Sequence, residues 1–140
     1  MTKGSKDCGT INFRSMHWTT LTELHQLDDI SKESAQKNIL IFKHSTQCST
    51  SRAMLGRLER NWKEDEMTSV KPYFLDLIRY RQISNTIAEK FNVEHESPQV
   101  LIVQSDKTIY HQSHMGINYT AIKEVIRNQT QQTASLTREG

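Results

Sequence analysis

The chain has 140 residues, enough for one domain that buries a hydrophobic core without disulfide staples. Its 18 basic and 16 acidic residues are spread along the chain, and a net charge of +2 provides no basic face of the kind that binds nucleic acid. No apolar run reaches the length of about 20 residues that a membrane span requires, and the first residues lack the apolar segment of a signal peptide. We therefore expect a cytoplasmic protein without nucleic-acid or membrane partners.

The two ends of the chain differ in composition from its middle. Residues 1–15 show no apolar periodicity and contain Cys8, one of only two cysteines. Residues 129–140 are rich in Gln, Thr and Ser. We predict a flexible leader at 1–15, one domain at 16–128 and a flexible tail at 129–140, with no disulfide framework.

Hydrophobic periodicity predicts nine elements between the two ends. In chain order they are a short strand at 18–20, a helix capped by Thr22 and carrying Leu24, Leu27 and Ile30, a strand at 39–42, a helix from Cys48 to about residue 63, a strand at 73–77, a helix at 82–91, a hairpin of strands 100–103 and 108–111, and a helix capped by Asn118. The hairpin is the one antiparallel pair that the pattern predicts.

The run 39–42 is apolar at every position, which is typical of a strand covered on both faces in the middle of a sheet. The order β-α-β-α-β-α-β-β-α is that of the thioredoxin fold. We therefore predict an α/β, thioredoxin-like domain with a mixed sheet of four to five strands and helices on both faces.

Cys48 follows the central strand, among small polar residues, and a helical pattern begins directly after it. The N-terminus of a helix presents unpaired N–H groups and partial positive charge, which favour thiolate over thiol. Only the thiolate is a nucleophile. The alternative, a small buried cysteine with a structural role, fits less well because core cysteines seldom lie among polar neighbours.

Ser51 stands where a Cys-x-x-Cys redox pair would carry its second cysteine. Its hydroxyl, or the N–H groups of residues 50 and 51, could hydrogen-bond the Cys48 sulfur, and Arg52 adds positive charge nearby. The pattern predicts a monothiol redox site.

Two segments, Phe42-Lys43-His44-Ser45-Thr46-Gln47-Cys48 and 93–99 with Ser97 and Pro98, resemble those of the YtxJ-type bacilliredoxins. These are thioredoxin-like monothiol proteins of the bacillithiol system in Gram-positive bacteria, and the resemblance covers about residues 17–127. That family usually has Cys-Pro-Ile-Ser where this chain has Cys48-Ser49-Thr50-Ser51, so Ser49 replaces a proline.

The resemblance implies thiol–disulfide exchange at Cys48 that removes bacillithiol from mixed disulfides on cytosolic proteins. Bacillithiol would be the thiol co-substrate, bacillithiolated proteins would be the partners, and no bound cofactor or metal would be needed. Pro98 would follow a cis peptide bond. The implied catalytic residues are Cys48 and Ser51, and the implied substrate-binding residues are Lys43, His44, Thr46, Gln47, Arg52, Ser97, Pro98 and Gly116.

The malate carboxylates of bacillithiol require cationic or N–H partners. Lys43, Arg52 and the N–H groups near Gly116 and Asn118 are candidates, and each could equally be a solvated surface group.

Other interpretations remain open at this point. His111 and His114 suggest a metal pair, but their odd spacing on an extended strand would place them on opposite faces. His44 could shuttle a proton for Cys48, although a structural role at the strand end fits better. His95 and Glu96 could shape the loop opposite Cys48 or stay solvated.

Two alternative functions remain. One is a non-catalytic thioredoxin-like adaptor with a redox-sensitive Cys48, and the other is a glutaredoxin-like exchanger that uses another small thiol.

Overall fold

A computed structural model describes the backbone of residues 16–139 and the side chains of residues 16–129. The predicted leader, Cys8 included, and the side chains beyond residue 129 lie outside this part of the chain. The strands are β1 (Thr19–Thr20), β2 (Asn38–His44), β3 (Val70–Asp76), β4 (Gln99–Gln104) and β5 (Lys107–Ser113). The α-helices are α1 (Gln26–Glu33), α2 (Ser49–Asn61), α3 (Arg81–Lys90) and α4 (Tyr119–Glu139), and short 3-10 turns lie at Glu64–Glu66 and His114–Gly116.

The five strands form one mixed sheet in the order β1-β3-β2-β4-β5. Strand β2 pairs in parallel with β3 on one edge and antiparallel with β4 on the other. All seven of its residues are buried, as the apolar run 39–42 predicts for a central strand. Antiparallel pairing therefore extends beyond the predicted hairpin, to the β2–β4 pair.

Alternate residues of β2 and β4 face two separate layers of core, because successive side chains of a strand point to opposite faces. One layer joins Leu40, Phe42, Val100 and Ile102 to side chains of α2 and α4. The other layer joins Ile39, Ile41, Leu101 and Val103 to side chains of α1 and α3. The predicted thioredoxin-like α/β architecture, with helices on both faces, is confirmed.

The first helix begins later than the sequence predicts. Thr22 does not cap it, because the side-chain oxygen of Gln26 accepts the N–H groups of Thr22 and Glu23 at 2.8 and 2.9 Å, which holds this segment as a turn. The helix then begins at Gln26, and Leu24 lies exposed rather than on its apolar face.

Strand β3 begins earlier than predicted and contains Pro72. Its partner β1 pairs only from Tyr73 onward, so one side of the strand is open at Pro72 and the missing N–H is tolerated there. The hairpin prediction is confirmed, with Ser105 and Asp106 in the left-handed conformation of a tight two-residue turn. The backbone of α4 stays helical to Glu139, beyond the end that the sequence predicts near residue 128.

No helix of the described residues is both long and apolar enough to cross a membrane.

The predicted cap of the last helix is present, because the N–H of Ala121 donates to Oδ1 of Asn118 at 2.8 Å. We expect Asn118→Ala to lower the free energy of unfolding by about 1 kcal/mol, since the substitution leaves a helix N–H without its acceptor. Urea denaturation checks this. Asn128→Ala, at an exposed position of the same helix, is the matched control, and an equal loss in both variants would contradict the capping role.

Candidate active site

Cys48 is the N-cap residue of α2, as the sequence predicts. Its backbone is extended, with φ −116° and ψ 120°, and the turn before it is closed by a bond from the Cys48 N–H to the Ser45 carbonyl at 3.2 Å. The Cys48 carbonyl in turn accepts the N–H of Arg52 at 3.1 Å, which starts the helix. The half-buried Cys48 therefore lies at the N-terminal end of a 13-residue helix, where the helix dipole is positive.

Ser51 lies in the first turn of α2 and is fully buried. Its Oγ accepts the backbone N–H of Ser45 at 3.0 Å and lies 2.8 Å from Nδ1 of His44. The described contacts of Ser51 thus tie the first turn of the helix to the end of β2. A hydrogen bond from Ser51 to the Cys48 sulfur is not among them and stays a prediction.

His44, the last residue of β2, is buried on the face of the sheet that α2 covers. Its ring packs against Phe74, with ring centroids 5.4 Å apart. Burial lowers the pKa of His44. The positive charge of Arg52 lowers this pKa further, whereas the carboxylate of Asp76 acts in the opposite direction. The imidazole is therefore held neutral at neutral pH.

Pro98 follows a cis peptide bond with Ser97, which confirms the expectation from the resemblance. Because Gln99 is the register partner of Lys43, this loop lies beside the end of β2 from which the Cys48 turn leaves. The carbonyl of Pro98 accepts the N–H of His114 at 3.0 Å, which brings the turn containing Gly116 to the same edge.

A surface pair fastens these two segments to each other. The carboxylate of Glu96 lies 2.9 Å from Nε2 of His114, and both side chains are about half exposed. The neighbouring Met115 is also exposed. The sequence pattern does not place Glu96 and gives no role to Met115, because only the folded chain brings both residues near the cis-proline loop.

The predicted substrate-binding residues fall into two groups. Thr46, Gln47 and Arg52 are exposed around the Cys48 turn, and Arg52 donates from Nη1 to the Thr46 carbonyl at 2.9 Å. Ser97 and Gly116 are half-buried at the facing loops. These five residues are at least partly accessible, whereas Lys43, His44 and Pro98 are buried.

Lys43 is not at the surface, where a side chain must lie to bind a substrate carboxylate. Its side chain has 0% relative exposure and faces the α1 and α3 side of the sheet, opposite to His44. Its Nζ has no hydrogen-bond partner among the described residues. The same is true of Oε1 of Gln99, the residue on β4 that pairs with Lys43. The prediction that Lys43 contacts a substrate directly is therefore wrong. Alternate residues of a strand point to opposite faces, and the side chain of Lys43 is buried on the face away from His44.

The charge of Lys43 still acts on its surroundings. Burial lowers the pKa of Lys43 to about 8. Burial also lowers the pKa of His95, and the positive charges of Lys43 and Arg81 act in the same direction. His95 lies 3.4 Å from the Ser84 hydroxyl of α3, so the loop before Pro98 rests against that helix.

His111 and His114 are not brought together with further potential metal ligands in the described part of the chain. His114 leaves the strand for the 3-10 turn and pairs with Glu96, and no group of three or more potential ligands comes together among the described residues.

The fold and the helix-capping cysteine place this chain in the class of thioredoxin-like proteins that carry out thiol–disulfide exchange. Residues 19–122 match the family described as monothiol bacilliredoxin BrxC, which is more than half of the 140 residues. The chain belongs to this family.

Solved structures give the same fold. A protein whose structure is titled "A putative oxidoreductase with a thioredoxin fold" is 26% identical, with a TM-score of 0.68, and the match covers 80% of this chain and 95% of that one. A thioredoxin from Trypanosoma brucei brucei is 16% identical, with a TM-score of 0.62 over 86% and 99% of the two chains. A thioredoxin from Fasciola hepatica is 18% identical, with a TM-score of 0.57 over 78% and 96%.

The buried Lys43 predicts a specific pH dependence of stability. In the unfolded chain its pKa is the ordinary 10.5, and in the folded protein it is about 8. Below pH 8 the amine is charged in both states and the full cost of burying the charge remains, so Lys43→Met should raise the free energy of unfolding at pH 7 by about 3 kcal/mol. Between pH 8 and 10.5 this advantage should shrink to near zero, because the folded wild type loses its proton first.

Chemical denaturation at several pH values measures this difference. The exposed Lys32→Met is the matched control and should show no such trend. A constant difference between Lys43→Met and wild type across this range would show that the buried amine does not titrate as described.

Ser49 is the first residue of α2 and is exposed. Proline is favoured at this position because its fixed φ suits the helix and the lost N–H is unpaired there anyway. We therefore expect Ser49→Pro, which restores the residue usual in the family, to raise stability by about 0.5 kcal/mol. Thermal unfolding checks this, with Thr50→Pro, one position further in, as the comparison; a loss of stability from Ser49→Pro would contradict the assigned start of α2.

Proposed function

We propose that this protein removes bacillithiol from mixed disulfides on other proteins in the cytoplasm, with Cys48 as its attacking thiol. The observation that carries this proposal is the position of Cys48, which caps α2 beside the cis-Pro98 loop with Ser51 in place of a second cysteine. Membership in the monothiol bacilliredoxin family supports it.

The exchange balances in two steps. The Cys48 thiolate attacks the bacillithiol sulfur of the mixed disulfide, a new S–S bond forms between Cys48 and bacillithiol, and the protein sulfur leaves as a thiolate that takes up a proton. A second bacillithiol thiolate then attacks the sulfur of the bound bacillithiol. This step releases bacillithiol disulfide and restores the Cys48 thiolate, so the reaction needs neither a metal nor a bound cofactor.

Ser51 fits a protein that depends on an external thiol in the second step. A cysteine at that position could attack the adduct within the same chain, whereas a hydroxyl is not a nucleophile toward a disulfide. The buried serine keeps the turn of the helix in place through its bonds to Ser45 and His44 while leaving resolution to the small thiol.

Arg52 is the charged group best placed for a malate carboxylate of bacillithiol. It is exposed, lies four residues after Cys48, and keeps part of its guanidinium free because only Nη1 donates to the Thr46 carbonyl. The half-buried Ser97 supplies backbone groups on the facing loop, which we expect to pair with the bound adduct.

Intact mass after incubation with bacillithiol disulfide tests the proposal. We expect one bacillithiol adduct on the wild type and on Cys8→Ala, and none on Cys48→Ala. The adduct should form at least about tenfold faster than the glutathione adduct from glutathione disulfide, a difference of about 1.4 kcal/mol in the barrier. A target protein carrying a bacillithiol mixed disulfide should then be reduced in the presence of excess bacillithiol.

Three outcomes would contradict the proposal. The absence of an adduct would favour the adaptor, equal rates with both disulfides would favour a general exchanger, and equal loss in Cys8→Ala and Cys48→Ala would overturn the monothiol scheme. Arg52→Gln is the matched probe of specificity: it should slow the bacillithiol reaction more than the glutathione reaction.

A further inference from the structure

Two groups contact the buried hydroxyl of Ser51, beneath the Cys48 turn. Oγ of Ser51 accepts the Ser45 N–H at 3.0 Å and lies 2.8 Å from Nδ1 of His44. All three residues are buried, at the junction of β2 and α2. Such a buried network has few proton arrangements, because each donor must face an acceptor.

Counting protons leaves two arrangements of the Ser51 hydroxyl. A serine oxygen has two lone pairs and one proton, and the Ser45 N–H occupies one of the lone pairs. When Nδ1 of His44 carries no proton, the Ser51 hydroxyl donates to it and has nothing left for another group. When Nδ1 carries the proton, it donates to Oγ, and the Ser51 hydroxyl proton is free.

We propose that His44 is a positioning residue for the Cys48 thiolate and acts through Ser51. With its proton on Nδ1, His44 frees the Ser51 hydroxyl to donate to the sulfur one helical turn away. The Cys48 side chain is half-buried and has no described hydrogen-bond partner, so its sulfur can rotate toward the Ser51 hydroxyl without breaking another hydrogen bond. A charge-assisted hydrogen bond of this kind stabilises the thiolate in addition to the helix terminus.

The surroundings favour control by tautomer rather than by charge. The groups facing His44 are Asp76 on β3 and Arg52 and Glu59 on α2, and burial keeps the ring neutral at neutral pH. Glu59 is itself engaged, because it accepts Nε1–H of Trp18 at 2.8 Å. A neutral ring can hold its proton on either nitrogen, so the position of this one proton sets the direction of the Ser51 hydroxyl.

This role of His44 matters only if Cys48 carries out the proposed exchange, so it rests on the proposed function, but its test does not use bacillithiol. The chain is prepared with Cys8→Ser, so that Cys48 is the only thiol, and the rate of alkylation by iodoacetamide is followed from pH 5 to pH 10. Alkylation reports the thiolate directly. A failure of the bacillithiol reaction would therefore leave this result intact, and the reverse also holds.

His44→Asn and His44→Gln form a matched pair of variants. The amide nitrogen of asparagine occupies the position of Nδ1, next to Ser51, whereas the amide of glutamine reaches the position of Nε2. We expect His44→Gln to slow alkylation at pH 7 about tenfold and to move the pH–rate profile to higher pH, because the bond to Ser51 is lost. His44→Asn should recover most of that rate.

Ser51→Ala should also slow alkylation about tenfold, and His44→Gln should add nothing in that background, because the two residues act in series. Equal rates in the Asn and Gln variants, or independent effects of His44→Gln and Ser51→Ala, would overturn the proposal. If His44→Gln does not fold, His44→Asn decides alone: a profile like that of Ser51→Ala would refute the role of Nδ1.

Discussion

Strand β2 has a neighbour on each edge and core on each face, and the rest of the structure depends on that position. Parallel pairing with β3 and antiparallel pairing with β4 fix its register on both sides at once. A slip by one residue would turn its apolar side chains to the wrong layers, which neither layer of core permits. The end of the strand is therefore held rigidly, and the turn that carries Cys48 leaves from a fixed point.

The same constraint puts two basic side chains in opposite layers. Lys43 and His44 follow each other at the end of β2, so the alternation of the strand sends Lys43 toward α3 and His44 toward α2. His44 finds Ser51 there, while the Lys43 amine finds no partner among the described residues. Burying a charged amine without a partner costs free energy. The site thus carries a destabilising group directly behind its reactive turn, an arrangement that is common where a fold serves chemistry rather than stability alone.

The sequence was sufficient for the features that depend on local pattern. The apolar run 39–42 identified the central strand, and the change to helical spacing after it identified Cys48 as a helix cap. The Asn118 cap of α4 followed from residue type. Each of these features is decided within a few residues of the chain, which is why the pattern was enough.

Features that depend on side-chain geometry could not be predicted in this way. The start of α1 depends on the rotamer of Gln26, whose side-chain oxygen accepts the N–H groups of Thr22 and Glu23, so the helix begins only at Gln26. Lys43 is predicted to be a surface cation because lysine seldom lies inside a protein, and only the folded structure shows that its side chain is fully buried. The bond between His44 and Ser51 joins residues seven positions apart through a strand end and a turn, so its existence requires the direction of both side chains. The sequence alone does indicate one feature of the site, because Ser51 stands where a Cys-x-x-Cys pair would carry its second thiol, so the first turn of α2 has no second cysteine. In the proposed exchange the second thiol approaches from solvent, and the exposed side chains of Thr46, Gln47 and Arg52 lie around the turn that it must reach.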